Sequence, residues 1–287
     1  MEKINNYNNK TIKTNNVDSK FCLKMIIFGS YVILSVLYLI SYYLKNIKYD
    51  DGINLDYRGD ISNNNKKIIV YSCLIGDYDN VINFNKQKGY DYVLFTDQNI
   101  TNVNWTILPI PKEVQNLNVS DIKKQRYIKI NPHKFFKNYD LSIYIDANYI
   151  IKGDLNDFLK KILNPLDNIY ITHLKFGKDL KVAIKDAKTN KLDNHTLLDT
   201  IEKRYFDKRI TRKPGIVNAG LIIRKHLKED CITLMEKWWE EVERYSHVDG
   251  FEFNYAAYMT KIRFLYISYQ LTLEYFGHNK HLKKIDY

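Results

Sequence analysis

Cysteine is scarce in this sequence, and the little there is does not cluster. Cys22, Cys73 and Cys231 are the only three in 287 residues. Thiols so few and so scattered exclude a disulfide framework and a structural zinc site. Cys73 lies in an apolar run, where a buried free thiol is the default state. No internal repeat and no long linker breaks the chain after residue 65. The formal net charge is +11, and such a surface favours polyanions, anionic membranes or phosphorylated substrates. No recognisable nucleic-acid-binding motif accompanies that charge. Lys, Asn and Ile are abundant throughout, so the charge is equally a compositional habit.

Charge itself is missing from one stretch. Residues 25–44, MIIFGSYVILSVLYLISYYL, contain none. Twenty uncharged residues match the length of a membrane-crossing helix, and no polar face marks them as a core helix. A cleaved signal peptide has a shorter apolar region and a small-residue cleavage site, and neither is present. The expectation is an uncleaved anchor behind a disordered tail, residues 1–24, followed by a stem, residues 45–65. Lys3, Lys10, Lys13, Lys20 and Lys24 precede the anchor. Lys45, Lys48 and Arg58 follow it, diluted by Asp50, Asp51, Asp56 and Asp60. This bias places the N-terminus in the cytosol and the remainder on the lumenal or extracytoplasmic side.

Residues 66–287 read as one α/β domain, because strand-like and helix-like patterns alternate. β-branched runs at 67–75, 90–96, 105–110, 141–145, 168–172, 215–224 and 262–268 predict strands. Helices are expected at 122–136, divided by Pro132, at 154–163 with Asp154 as N-cap, at 229–245, and at 250–260. The two adjacent tryptophans, Trp238 and Trp239, fall on an amphipathic helix and read as core. Residues 175–213 are highly charged and predict helical pieces without clear boundaries.

The stretch 139–153, YDLSIYIDANYIIKG, organises the domain. Its apolar run stops at Asp146-Ala147-Asn148, which places Asp146 and Asn148 at the carboxyl end of a buried strand. Open α/β sheets bind their ligands at such ends. Residues two apart in extended chain point to the same side, so a carboxylate and an amide oxygen would share one Mg²⁺ or Mn²⁺. An Asx turn explains the same residues without any ligand.

Several stretches resemble a family in the expected order. They are IIVYSCLIGDYDNV, DYVLFTD, NW, RYIKINPHKFFKNYDLSIYIDANYIIKGDL, ITH, VNAGLIIRKH and HVDGFEFNY, touching most of 67–255. They look like the GT-A nucleotide-sugar glycosyltransferases. The similarity is greatest to the glycosyltransferase-like group containing plant mucilage- and turgor-related proteins, and more distant to glycogenin and galacturonosyltransferases. The resemblance implies a Rossmann-like mixed sheet flanked by helices, a UDP-sugar donor, a glycan or glycoprotein acceptor, and a Golgi or ER type II membrane protein.

It also implies roles. Leu74, Gly76 and Tyr78 form the turn after the first strand, where Gly76 would let backbone amides approach the nucleotide. Asp97 would accept from the uracil or ribose. Arg126 and Lys129, three apart on one helix face, would offset the diphosphate charge. Asp146, Asn148 and His278 are the metal-ligand candidates, with His281 the alternative to His278. The glycogenin-like pattern has aspartate where Asn148 stands, so the site carries less charge. Asn218 and Gly220 would stand beside the sugars, and Asp249 would act as general base or bind sugar hydroxyls. Segment 173–190 lacks the pattern expected after His173. A non-enzymatic glycan- or nucleotide-binding protein with a degenerate transferase fold is the competing expectation.

Overall fold

The computed structural model describes Ser35, residues 66–76, Asp79, residues 81–101, 103–173 and 180–208, Ile210, and residues 216–279. The chain divides into two units, Met1–Asp51 and Gly52–Tyr287, and every element below belongs to the second. The expected tail and stem, the anchor 25–44 apart from Ser35, Tyr78 and His281 lie outside the described residues. Among the described residues, no helix is long and apolar enough to cross a membrane.

Among the described residues, seven strands form one mixed sheet. In chain order they are β1 (Ile68–Leu74), β2 (Tyr90–Thr96), β3 (Thr106–Leu108), β4 (Leu141–Ile145), β6 (Ile169–His173), β7 (Val217–Arg224) and β8 (Leu265–Ile267). β5 (Tyr149–Ile151) and β9 (Phe276–His278) pair with each other in a separate ribbon. The sheet order is β3-β2-β1-β4-β7-β6-β8. β1 runs parallel to both β2 and β4, while β7 is antiparallel to β4 and β6. The order therefore reverses between β1 and β4, and the crevice outside their carboxyl ends is the place where such sheets bind ligands.

All seven residues of β1 are buried, as expected for a central parallel strand covered on both faces. Their alternation splits the core. Ile69, Tyr71 and Cys73 face one layer, whose helices include α2 (Asp121–Ile130) and α7 (Glu229–Arg244). Ile68, Val70 and Leu74 face the other, built by α4 (Leu155–Ile162), β5 and β9. Cys73 is buried, and Trp238 and Trp239 sit in the first layer at 0% and 9% exposure, so the core assignments from sequence hold.

The short helix α1 (Lys112–Gln115) precedes α2, and α3 (Pro132–Phe135) follows it. The break falls at Asn131, where proline's missing N–H ends the ladder. Asp154 caps α4 by accepting from the Asp157 amide at 2.8 Å. The charged stretch resolves into a helical hairpin, α5 (Leu180–Thr189) and α6 (His195–Asp207). With α8 (Asp249–Thr260) it makes a third core from Ala183, Ile184, Leu198, Ile201, Phe251 and Tyr255. A final helix, α9 (Tyr269–Tyr275), leads into β9.

Candidate active site

Asp146 follows the last residue of β4, and its backbone is fixed on both sides. Its amide donates to Gly220 O at 2.9 Å, and its carbonyl accepts from Tyr149 N at 2.9 Å, closing a turn. The carboxylate is not left to itself. Oδ1 accepts from the Tyr144 hydroxyl at 2.8 Å and lies 3.4 Å from Lys129 Nζ. Oδ2 packs against Gly220. A Cβ built on Gly220 would meet Tyr149 Oη at 2.6 Å and Asp146 Oδ2 at 3.0 Å. Glycine is needed there because any side chain would collide with the carboxylate and the phenol. Asn218, two residues earlier, accepts from the Gly220 amide at 2.9 Å and bonds the Tyr149 hydroxyl. Burial, with the Asp146 charge, pushes that phenol well above the ordinary tyrosine range.

Lys129 links two carboxylates. Its Nζ lies 2.7 Å from Asp249 Oδ2 and 5.0 Å from the centre of the Tyr144 ring, and the residue is 2% exposed. A buried ammonium requires such pairing. Arg126 joins it, with Nε 3.0 Å from Asp249 Oδ2 and 3.3 Å from His247 O. Asp249 opens α8 and is where both cations converge. Burial alone would raise its pKa, but Lys129 and Arg126 outweigh it and hold the carboxyl below the usual aspartate range. Gln125 ties the same helix to the end of β1, donating to Cys73 O at 3.0 Å.

What pins Lys129 is a residue that the sequence did not single out. Arg224, fully buried in β7, donates to Lys129 O at 2.9 Å and to Ile130 O at 3.3 Å. It also bonds the Tyr71 hydroxyl, which itself donates to Lys129 O at 2.6 Å. These bonds satisfy the orphan carbonyls at the C-terminal end of α2. Arg224 closes the strand run, directly before Lys225, so no local signal marks it as buried.

Asn148 is 6% exposed. Its Nδ2 donates to Asn279 O at 2.9 Å, and Asn279 N returns a bond to Asn148 O at 2.9 Å. Its Oδ1 is buried with no partner among the described residues. The β5–β9 pairing sets His278 opposite Tyr149, with ring centres 5.9 Å apart and planes at 30°. The ribbon thus carries His278 to the residue beside Asn148, across a long separation in sequence.

The turn after β1 forms a second part of the crevice. Gly76 has φ +80°, a conformation that favours glycine. Its amide donates to both oxygens of Asp97, at 3.0 and 3.1 Å. Asp97 therefore holds the turn, and its carboxylate is already engaged there. Leu74 is fully buried, so only its backbone borders the turn. Beside them opens a cleft of about 630 Å³, lined in part by Ile75, Thr96, Gln98, Ile110 and Lys124. The site candidates accordingly form two groups. Asp146, Asn148, Asn218, Gly220, Arg126, Lys129, Asp249 and His278 surround the β4 end, and Gly76 with Asp97 shapes the β1 end.

No family model and no curated protein matches the chain. Solved structures similar to it include mouse xyloside xylosyltransferase 1 in its apo form, at 8% identity and TM-score 0.42, covering 70% of this chain and 84% of that one. The WbbM bifunctional glycosyltransferase, apo, is 14% identical at TM-score 0.41, with 70% of this chain and 38% of that one covered. The galactosyltransferase LgtC, in complex with donor and acceptor sugar analogs, is 15% identical at TM-score 0.36, covering 65% and 69%.

Proposed function

We propose that residues 66–287 form a GT-A-type glycosyltransferase domain that moves a sugar from a nucleotide-sugar donor, a UDP-sugar, to a glycan or protein acceptor. The observation that carries this reading is the Asp146 carboxylate at the strand-order reversal, packed against Gly220 with Lys129 beside it and Arg126 joined to Lys129 through Asp249. Sugar transfer develops negative charge on the departing diphosphate, and preorganised cations stabilise it without reorganisation. Lys129 and Arg126 supply that charge in a largely dry place. The Gly76 turn is held by Asp97 and Gln98, and the nucleotide would lie in the cleft beside it. Gly220 lets Tyr149 and Asp146 pack close against β7, and the donor sugar would lie beside that group, near Asn218. Asp249, ionised and engaged by both cations, is a weak base. Its part is to hold Arg126 and Lys129 in place and to meet sugar hydroxyls.

Among the described residues no group of three or more His, Cys, Asp or Glu side chains is placed to hold a metal ion. A divalent cation here would draw on Asn148 Oδ1, a buried oxygen acceptor with no partner among the described residues, on the Asp146 carboxylate and on the His278 imidazole. Oxygen donors of this kind suit Mg²⁺ or Mn²⁺. Bound there, the ion would neutralise diphosphate charge. One carboxylate ligand, already shared with Lys129, makes for modest affinity.

Turnover of a panel of UDP-sugars by the full chain, with and without Mn²⁺, tests the proposal. Donor-specific release of UDP supports it. Binding of UDP without any turnover favours the second reading, a glycan- or nucleotide-binding protein. That reading is suggested by Asn148 and by two carboxylates whose charge is offset within the protein. Membrane anchoring through residues 25–44, with a lumenal Golgi or ER domain, is part of the same proposal. In sealed microsomes added protease should spare residues 60–287, and their digestion would reverse the orientation.

A further inference from the structure

A second cavity lies away from the strand ends. It opens between the α5–α6 hairpin and the C-terminal half of α8, with a volume of about 1000 Å³. Asp249 stands at the other end of α8, about 16 Å away at 1.5 Å rise per residue. The cavity's wall is apolar, including Ile210, Ile216, Ala257, Ile262 and Phe264. At its mouth Phe206 is 80% exposed, Tyr258 45% and Met259 41%. Large side chains are clustered here in water, whereas scattered single ones would need no explanation. Such exposure costs free energy that a ligand's apolar part would recover, at about 25 cal/mol per Å² covered.

The charges at the same cavity have one predominant sign. Lys203, Lys208 and Lys261 line it, all exposed, and none is in an ion pair among the described residues. Of the acidic lining residues, Asp199 is already paired with Lys188, which leaves Glu202 as the opposing charge. The Tyr258 hydroxyl donates to Lys208 O at 3.1 Å, tying the end of α8 to the end of α6 across the opening. The apolar mouth and the cationic rim are therefore held together by secondary structure.

We propose that this cavity is a binding site for a phosphorylated single-chain amphiphile. The aliphatic chain lies along Ile210, Ile216, Ala257 and Phe264, under Phe206 and Met259. The phosphate sits among Lys203, Lys208 and Lys261. Three ammonium groups match a dianionic head better than a neutral or monoanionic one. The site is separate from the strand-end crevice, and the proposal stands whether or not the domain transfers sugars.

The test is photolabelling of the full chain in membranes with a diazirine-bearing dodecyl phosphate. Matched dodecanol and dodecyltrimethylammonium probes serve as comparisons. The expected label falls in peptides covering 203–210 and 254–264 and is displaced by excess dodecyl phosphate. It is weaker by roughly tenfold with either comparison probe. The triple variant K203E/K208E/K261E, altered only at exposed positions, should lose labelling by a similar factor, the sum of three modest exposed charge contacts. Phe206→Ser should weaken all three probes alike. Equal labelling by phosphate and ammonium probes would overturn the proposal. So would labelling that dodecyl phosphate does not displace, or cross-links joining these peptides to a second copy or to another segment of this chain.

Discussion

Two buried charge clusters share helix α8, and they differ in what their charges face. At the N-terminal end of the helix, Lys129 meets Asp249 and Asp146, Arg126 meets Asp249, and the buried Asn148 amide oxygen near the same strand end has no partner among the described residues. One turn further along, Glu252 and Glu241 meet Arg204, whose guanidinium lies 3.5 Å from the Tyr245 ring centre and 4.0 Å from that of Tyr255. That second cluster is closed. Glu252 is 0% exposed, Glu241 3%, and Lys237 closes the far side 2.8 Å from Glu241. The titrating behaviour separates them too. Cations outweigh burial at Asp249 and lower its pKa. At Glu252 burial outweighs Arg204 and pushes the carboxyl up to about 7. The same ingredients make a ligand site where acceptors are left over, and a clamp where every group is used inside.

The largest effect is expected from breaking the clamp. Arg204→Ala strands two buried carboxylates, a change that typically costs about 3–5 kcal/mol. Chemical denaturation should show that loss, whereas a change under 1 kcal/mol, measured the same way, would mean that water already reaches the cluster. Next comes the open cluster. Asp146→Asn leaves only neutral oxygens for a cation, and Mn²⁺ titration with UDP present should give an affinity lower by on the order of 100-fold, since affinity follows ligand charge. Asn148→Asp should move the same titration the other way. If neither substitution shifts it, this strand end holds no metal.

A smaller loss follows at the cations. Arg126→Ala or Lys129→Ala should weaken UDP binding by about 1–3 kcal/mol, the worth of a charge-assisted hydrogen bond. Lys129→Ala should also lower stability, because it uncovers Asp249. Calorimetric titration of UDP decides the first point, and unchanged affinity in both variants would make the helix face purely structural. The smallest effect is the pH dependence of Glu252. A carboxyl whose pKa rises from 4.5 to about 7 on folding binds its proton more tightly in the folded state. Stability from this group is therefore present below pH 4.5 and lost as pH climbs towards 7. Melting temperature should fall across that window, and Glu252→Gln should flatten the fall.

Much of the framework was legible because it rests on local signals. The runs ending at Asp97 and Asp146 are strands with those residues just past their carboxyl ends, and Pro132 divides the helix where its chemistry requires. The hairpin α5–α6 was not legible, because its apolar residues Ala183, Ile184, Leu198 and Ile201 are diluted by lysines and aspartates that stay in water. β5 and β9 escaped notice because three residues carry no periodicity. At the site, the two cations beside the β4 end could be named from their spacing, but not their partners. Asp146 had no visible basic neighbour in sequence, and its counter-ion proves to be Lys129, 17 residues earlier on another element. Asp97 was expected to meet the nucleotide, and its bond from the Gly76 amide was not foreseen. Such pairings depend on how α2, β4 and α8 converge, which no local pattern records.

The reciprocal bonds between Asn148 and Asn279 join positions 131 apart in the chain. During synthesis, the first of these residues leaves the ribosome long before the second. A nascent chain halted before β9 already contains β1, β4, Lys129 and Asp249, yet nothing holds Asn148, and His278 does not exist. Completion of the crevice therefore waits for β9, and chains halted before it lack the ribbon.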